Sequence, residues 1–229
     1  VDYAIWNPET DPHIAANYNI SDPVGKSRCK AALIQELQLD VTLMDAPLLC
    51  MISRLDVQKG FDLLLSVMES IMETGAGLAI LGSGNEWIEN ALSKAQTHHP
   101  GRMALRSGFD GNLAHRIMAG ADIFLMPSLY EPCGLTQMYA LKYGTVPVAR
   151  GTGGLEDTIS SFDPATLDGN GFKFYPYDLK AFLSTIRQAA DFYHHRETWK
   201  RLMHNGMKMD FSWDRSAKDY VDIYRSVKR

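Results

Sequence analysis

The run Glu131-Pro132-Cys133-Gly134-Leu135-Thr136-Gln137 combines a carboxylate with residues able to open a helix. Cys133, Gly134 and Leu135 are expected at the helix start, where free backbone N–H groups and the positive dipole end suit an anion. A carboxylate beside such a place is not there to bind phosphate. It suits the other end of a nucleotide-sugar, where it accepts hydrogen bonds from sugar hydroxyls or faces positive charge growing at an anomeric carbon. Were this turn alone, Glu131 would read simply as an acidic helix-capping residue.

It is not alone. Ser53-Arg54-Leu55-Asp56-Val57-Gln58-Lys59-Gly60 sets two cations just before another helical stretch. Arginine forks onto phosphate oxygens and lysine neutralises them as a point charge, so the pair suits a diphosphate; a solvated loop is the competing reading. Gly82-Ser83-Gly84-Asn85 is half of a dinucleotide fingerprint, but Trp87 occupies the third glycine position, which favours a tight strand-to-helix turn. Gly108-Phe109-Asp110 offers a ring that stacks on a base or else fills the core. Gly151-Thr152-Gly153-Gly154-Leu155 is either a flexible loop closing over a sugar or a turn.

These turns need elements to hold them at one edge. Apolar runs of strand length lie at Pro47 to Ile52, Gly77 to Leu81, Met103 to Arg106, Ala121 to Met126 and Thr145 to Ala149. Between them, Phe61 to Glu73, Glu86 to Thr97, Asn112 to Ala119 and Leu135 to Lys142 have helical length. Alternation of this kind predicts βαβ units with right-handed crossovers, hence an α/β, Rossmann-like doubly wound parallel sheet. Ligands of such sheets bind beyond the carboxyl ends of the strands, where all five turns fall. Gly171 to Phe174 reads as one more strand, followed by helices at Leu179 to His194, Glu197 to Met207 and Ser216 to Val227. The proline-punctuated residues 1–24 read as an extended connector, followed by a short amphipathic helix within Gly25 to Leu39. The division expected is 1–24 connector, 25–210 Rossmann-like nucleotide-sugar-binding domain, and 211–229 carboxy-terminal helix.

Composition narrows the partners. With 229 residues, 45% hydrophobic and 22% charged, the chain can bury a sizeable core and is neither disordered nor fibrous. A net charge of −4 without a basic run argues against nucleic acid or an anionic membrane as partner. Cys29, Cys50 and Cys133 are odd in number and widely spaced, so neither a disulfide framework nor a paired-cysteine metal site can be drawn, and a reducing compartment fits. The chain begins at Val1 with no basic leader, as expected of a piece of a longer protein.

Together these strings resemble the bacterial glycogen synthase and plant starch synthase family, retaining glucosyltransferases of glycosyltransferase family five with the two-domain GT-B fold. The resemblance spans nearly the whole chain. Its carriers are Asp2-Tyr3, Trp6-Asn7-Pro8, Thr10-Asp11, Arg54-Leu55, Gln58-Lys59-Gly60 and Glu131 through Gln137, then Tyr143-Gly144-Thr145, Thr152-Gly153-Gly154-Leu155, Asp157-Thr158 and Phe211-Ser212-Trp213. It implies the carboxy-terminal, donor-binding half of an enzyme that moves glucose from ADP-glucose, less often UDP-glucose, to the non-reducing end of an α-1,4-glucan. Retention of anomeric configuration is implied, with no cofactor and no metal.

Under this resemblance Arg54 and Lys59 neutralise the diphosphate of ADP and stabilise its departure. Phe109 matches a position where tyrosine commonly stacks on adenine, and Gly82 belongs to the same donor site. Glu131 contacts the glucosyl unit, Cys133, Gly134 and Leu135 line its hydroxyls, and Thr136 touches phosphate. The catalytic set is Glu131, Arg54 and Lys59. Many retaining relatives carry a second glutamate eight residues after the first, where this chain has Tyr139, so a two-carboxylate mechanism is not supported. The amino-terminal domain with the acceptor-side groups is absent from these residues, so the fragment by itself is expected to be inactive, with its last helix packing toward that domain. The location implied is the cytoplasm of a bacterium or the plastid of a plant. A non-catalytic nucleotide-sugar or glucan-binding module is the rival reading, as is another retaining GT-B enzyme related to sucrose synthase. An NAD-dependent oxidoreductase is disfavoured by the incomplete glycine fingerprint.

Overall fold

Six short apolar runs form the strands: β1 Leu48–Ile52, β2 Gly77–Gly82, β3 Met103–Ser107, β4 Ile123–Met126, β5 Val146–Arg150 and β6 Phe172–Phe174. The computed structural model describes residues 1–227, and in it these strands make one all-parallel sheet of order β3-β2-β1-β4-β5-β6. The chain starts the sheet in its middle, winds outward to β3, then returns to lay β4 against the other side of β1.

The connecting helices are α1 Val24–Glu36, α2 Phe61–Glu73, α3 Glu86–His98, α4 Gly111–Gly120, α5 Thr136–Lys142, α6 Gly154–Thr158, α7 Leu179–His194, α8 Arg196–Met207 and α9 Trp213–Val227. Because successive strand side chains point to opposite faces, two cores form. On β1, Leu49 and Met51 join Leu64 of α2, Leu92 of α3 and Phe182 of α7 in one core. Leu48 and Cys50 join Leu33 of α1, Ile117 of α4 and Ala140 of α5 in the other. A parallel sheet covered on both faces explains why the strands read as continuous apolar runs. Each such side chain buried stabilises the fold by about 1.5–3 kcal/mol against leaving it in water.

Differences from the sequence-based expectations have local causes. Residues 1–23 are not extended: they turn repeatedly and pack on the domain, with Trp6 stacked on His115 and Tyr139 and Asp11 buried against His115 and Tyr143. The expected amphipathic helix ends at Glu36, and the face of α1 turned inward carries two lysines. Lys30 reaches Asp122 at 2.6 Å, Ala46 O and the Tyr193 hydroxyl, while Lys26 reaches Ala119 O, Tyr143 O and Thr145 Oγ1. Their hydrogen bonds offset the cost of burying charge. A 3-10 turn, Val41–Met44, separates α1 from β1. Of the glycine-rich stretch after β5, Gly154 and Leu155 open α6 with Gly153 as its cap, and Gly151 to Gly153 form the turn that leads into it. α9 begins at Trp213 rather than Ser216; residues 228 and 229 of the expected last segment lie outside the described residues.

Candidate active site

Strand order reverses between β1 and β4, and their following loops diverge at the carboxyl edge to leave a crevice. A cleft of about 400 Å³ occupies it, lined by Arg54, Lys59, Ser128, Glu131, Gly134, Leu135 and Thr136. A second cavity of about 230 Å³ continues from it, with Ile52, Ser53 and Arg54 lining both and Gly82, Ser83, Gly108 and Phe109 closing the far side. Every residue singled out for donor contact except Cys133 thus lines one of two adjoining spaces. Cys133 is exposed beside them and lines a third cavity with Trp213 and Phe211.

Lys59 Nζ lies 2.6 Å from Glu131 Oε2, with Glu131 only 7% exposed. A carboxylate this buried needs a partner, and the pairing supplies it with both charge and a hydrogen bond. The Ser128 hydroxyl donates to the same oxygen at 3.2 Å. Arg54 is exposed, and its guanidinium donates to Gln58 Oε1 at 3.0 Å. The outcome is a cationic rim, Arg54 and Lys59, around a single inward carboxylate, able to grip an anion and present a charge to what the anion carries.

Lys59 ends a 3-10 turn, Val57–Lys59, started by Asp56, whose side chain accepts from Gln58 N. Gly60 then turns the chain with φ +82°, and a Cβ there would collide with the Pro127 carbonyl. The loops after β1 and β4 are therefore in van der Waals contact. Leu129 N donates to Gln58 O at 2.9 Å, and Gln58 Nε2 donates to Tyr130 O at 2.9 Å. From the other side Arg150 donates to Leu129 O at 2.6 Å and to Tyr175 O at 3.0 Å, with its guanidinium over the Tyr177 ring. Tyr177 in turn donates to Asp62 Oδ1, and burial, reinforced by that carboxylate, pushes its phenol pKa up.

The Glu131–Leu135 turn rests on α6. Gly154 N donates to Glu131 O at 3.0 Å, and Cβ atoms at Gly153 and Gly154 would overlap the carbonyls of Glu131 and Cys133. The glycine pair is thus a bed for the turn, required because backbone lies on backbone. α5 starts at Thr136 and has seven residues, so Cys133 and Gly134 precede it as a turn and Leu135 caps it.

Phe109 is 98% exposed, which excludes the core reading. Its position is fixed by Asp110, whose side chain accepts from Leu113 N at 2.8 Å and caps α4. Gly82 packs under Ser53 O where a Cβ would collide, so it joins the first two loops as well as lining the cavity. Tyr139 is sandwiched under Trp6, ring centroids 4.2 Å apart and nearly parallel. Burial raises its pKa, so that position carries a ring packed on Trp6 and no charge. Among the described residues no group of three or more metal-ligating side chains converges, and no helix is long and apolar enough to cross a membrane.

Ser128 and Arg150 are not evident from sequence pattern, and for Gln58, Gln137 and the Gly153–Gly154 pair, which are among the residues that carry the resemblance, the loop-to-loop contacts described here are not. Only Gln137 carries a signal: with Ala140 and Leu141 it falls on the buried face of α5, a polar residue at core spacing.

Fold and cleft together define a glycosyltransferase domain of the GT-B type. The chain belongs to the family described as Glycosyl transferases group 1, whose model matches residues 38–206. Within it the likeness is to glycogen synthases. That of Anaeromyxobacter sp. (strain Fw109-5) is 48% identical over 227 residues, covering 99% of this chain and 47% of that protein. That of Thermotoga petrophila is 46% identical over 228 residues, again covering 99% and 47%. Among solved structures, the catalytic domain of Starch Synthase IV from Arabidopsis thaliana, bound to ADP and acarbose, superposes with TM-score 0.91 at 37% identity, covering 100% of this chain and 48% of that one. A sucrose-phosphate synthase from Thermosynechococcus elongatus, at 21% identity and TM-score 0.63 over 86% of this chain and 48% of its own, shares the fold. The chain spans about half the length of the relatives it matches.

Proposed function

We propose that this chain is the donor-binding half of a glycogen or starch synthase, which transfers glucose from ADP-glucose to the non-reducing end of an α-1,4-glucan with retention. The observation that carries the reading is the adjacency of Arg54, Lys59 and Glu131 in one crevice that continues to the exposed ring of Phe109. A nucleotide-sugar is a string of base, diphosphate and sugar, and ring, cations and carboxylate follow in that order. The ADP bound by the similar catalytic domain of the Arabidopsis starch synthase supports the same assignment.

In this reading Phe109 stacks on the base and Gly82 lets the nucleoside lie close to the sheet. Arg54 and Lys59 hold the diphosphate and stabilise the negative charge that builds on it as the bond to glucose breaks. Glu131 faces the glucosyl unit, accepting from its hydroxyls and stabilising positive charge at the anomeric carbon. The turn Cys133 to Thr136 lines the sugar and the phosphate nearest to it. With Tyr139 where a second glutamate would stand, the carboxylate work falls to Glu131. The acceptor glucan and the groups that bind it belong to an amino-terminal half, toward which α9 packs.

The test is calorimetric titration of ADP, UDP and ADP-glucose into the full-length protein, followed by incorporation of labelled glucose into glycogen. Micromolar-range ADP binding with incorporation from ADP-glucose is the expected result. Absence of both nucleotide binding and transfer overturns the reading.

A further inference from the structure

Gln137 lies in the first turn of α5, fully buried at 0% exposure, although it is a primary amide with no charge to neutralise. Its Nε2 lies within hydrogen-bond distance of three acceptors, Cys133 O at 3.1 Å, Gly134 O at 3.0 Å and Thr158 Oγ1 at 3.2 Å, which share its two N–H groups. Thr158 in turn donates to Gly154 O, and Gly154 N donates to Glu131 O at 3.0 Å. These bonds run from Glu131 through α6 and the Gln137 amide back to the peptides two and three residues beyond Glu131.

The consequence lies in peptide planarity. All peptides here are trans, so the C=O and the N–H of one peptide unit point in opposite directions. The Cys133 carbonyl points inward to Gln137, hence the Gly134 N–H points outward; the Gly134 carbonyl does the same, hence so does the Leu135 N–H. Neither N–H has an acceptor among the described residues, and Gly134 and Leu135 line the cleft. Gly134 holds φ +73°, with the Gln137 amide in the place its Cβ would take, and Leu135 follows in the right-handed region. Successive left- and right-handed residues form a concave pair of N–H donors, a nest for an electronegative atom.

From these contacts we infer that Gln137 is a positioning residue for donor binding: its buried amide turns the Gly134 and Leu135 N–H groups toward the glucosyl unit of the donor and holds them there. The inference rests on the proposed glucosyl transfer and names what fixes its backbone donors. Gln137 does not touch the donor. Its Oε1 has no partner, so the side chain is held by what its nitrogen donates. A methionine of similar volume keeps the packing and loses the donation; a glutamate, when ionised, sets a carboxylate against the same carbonyls and favours rotation of both peptides.

The experiment uses the full-length protein with Gln137→Met, Gln137→Glu and Thr158→Val, each checked for thermal unfolding. For Gln137→Met, kcat is expected to fall at least tenfold and ADP-glucose to bind several-fold more weakly, while ADP, lacking the sugar, binds within twofold of wild type. Thr158→Val, which removes one acceptor of the amide together with the bond to Gly154 O, gives the same split with a smaller amplitude. For Gln137→Glu, kcat relative to wild type rises as pH is lowered from 8 to 6, because a protonated carboxyl can again donate to a carbonyl. Should Gln137→Met fail to fold, the Thr158→Val split and the Gln137→Glu pH ratio decide. Wild-type kcat and ADP-glucose affinity in a folded Gln137→Met, or a pH-independent Gln137→Glu ratio with no Thr158→Val split, overturns the inference. A wild-type protein that neither binds nucleotide nor transfers glucose would instead remove the reading on which it rests.

Discussion

Lys59 has one ammonium group and, once a donor enters, two claimants for it. In the structure it is bonded to Glu131; in the proposed function it also faces the diphosphate of the donor. Replacing Glu131 by glutamine removes the competing charge. Glu131→Gln in the full-length protein is therefore expected to bind ADP at least as tightly as wild type while kcat falls by a factor of ten or more. Calorimetry beside a steady-state assay checks it, and weakened ADP binding would mean the carboxylate helps hold the nucleotide. Arg54→Ala and Lys59→Ala should each lower kcat by about 10² or more, since loss of one charge-stabilising donor costs about 3 kcal/mol. Arg54, Lys59 and Glu131 are legible in the sequence because their types are costly and their places, just past strand ends, are set by local pattern. The roles of Ser128, Gln58 and Arg150 are not: a serine, a glutamine and a strand-end arginine are common, and their meaning lies in contacts with other loops, such as Gln58 with Tyr130 and Arg150 with Leu129.

At the scale of elements, the strands and longer helices are readable because both faces of a parallel sheet are buried and the apolar runs are short and bounded. α6 is not. Five residues beginning at a glycine give no periodicity, and only the carbonyls above it reveal its purpose. That purpose is testable by Gly154→Ala, whose methyl group would meet the Cys133 carbonyl oxygen. Destabilisation of roughly 1–3 kcal/mol is expected, seen as a Tm lowered by several degrees, along with reduced kcat from a displaced Glu131 turn. The amino-terminal turns look extended in the sequence because proline signals punctuation, whereas the pairing of Asp11 with His115 and Tyr143 is long-range.

α1 supplies a pH test of its own. Burial lowers the pKa of Lys26 from 10.5 to about 8. Below pH 8 both folded and unfolded chains hold that proton, and the cost of the buried charge is carried in full. Between pH 8 and 10.5 the folded state releases it and the unfolded state keeps it, so stability gains up to about 1.4 kcal/mol per pH unit from this group. Cys50 works the other way above about pH 8.5, because burial pushes its thiol up and only the unfolded chain ionises. Urea unfolding of wild type and Lys26→Met isolates the lysine: their difference should shift in favour of wild type as pH rises from 8 to 10, and a constant difference would place the proton elsewhere.

For the whole molecule, transition-state stabilisation by groups on two sides of a cleft cannot be supplied by one side. These 229 residues alone are expected to bind ADP weakly and to incorporate no labelled glucose into glycogen. Measurable elongation by this piece would show that the acceptor needs nothing beyond it. α9 carries a consequence of a different kind. None of its residues is buried, and Tyr220, Val221, Ile223, Tyr224 and Val227 are all exposed. A 15-residue helix with no buried residue is marginal in water, so in the isolated piece its backbone is expected to open often. Arg215, Lys218 and Arg225 lie along it, and trypsin should remove this segment long before it cuts elsewhere. In the full-length protein, with the helix docked as proposed, the same bonds should survive until global unfolding. The lifetime of three peptide bonds then reports whether the two halves of the enzyme are engaged, without any sugar being transferred.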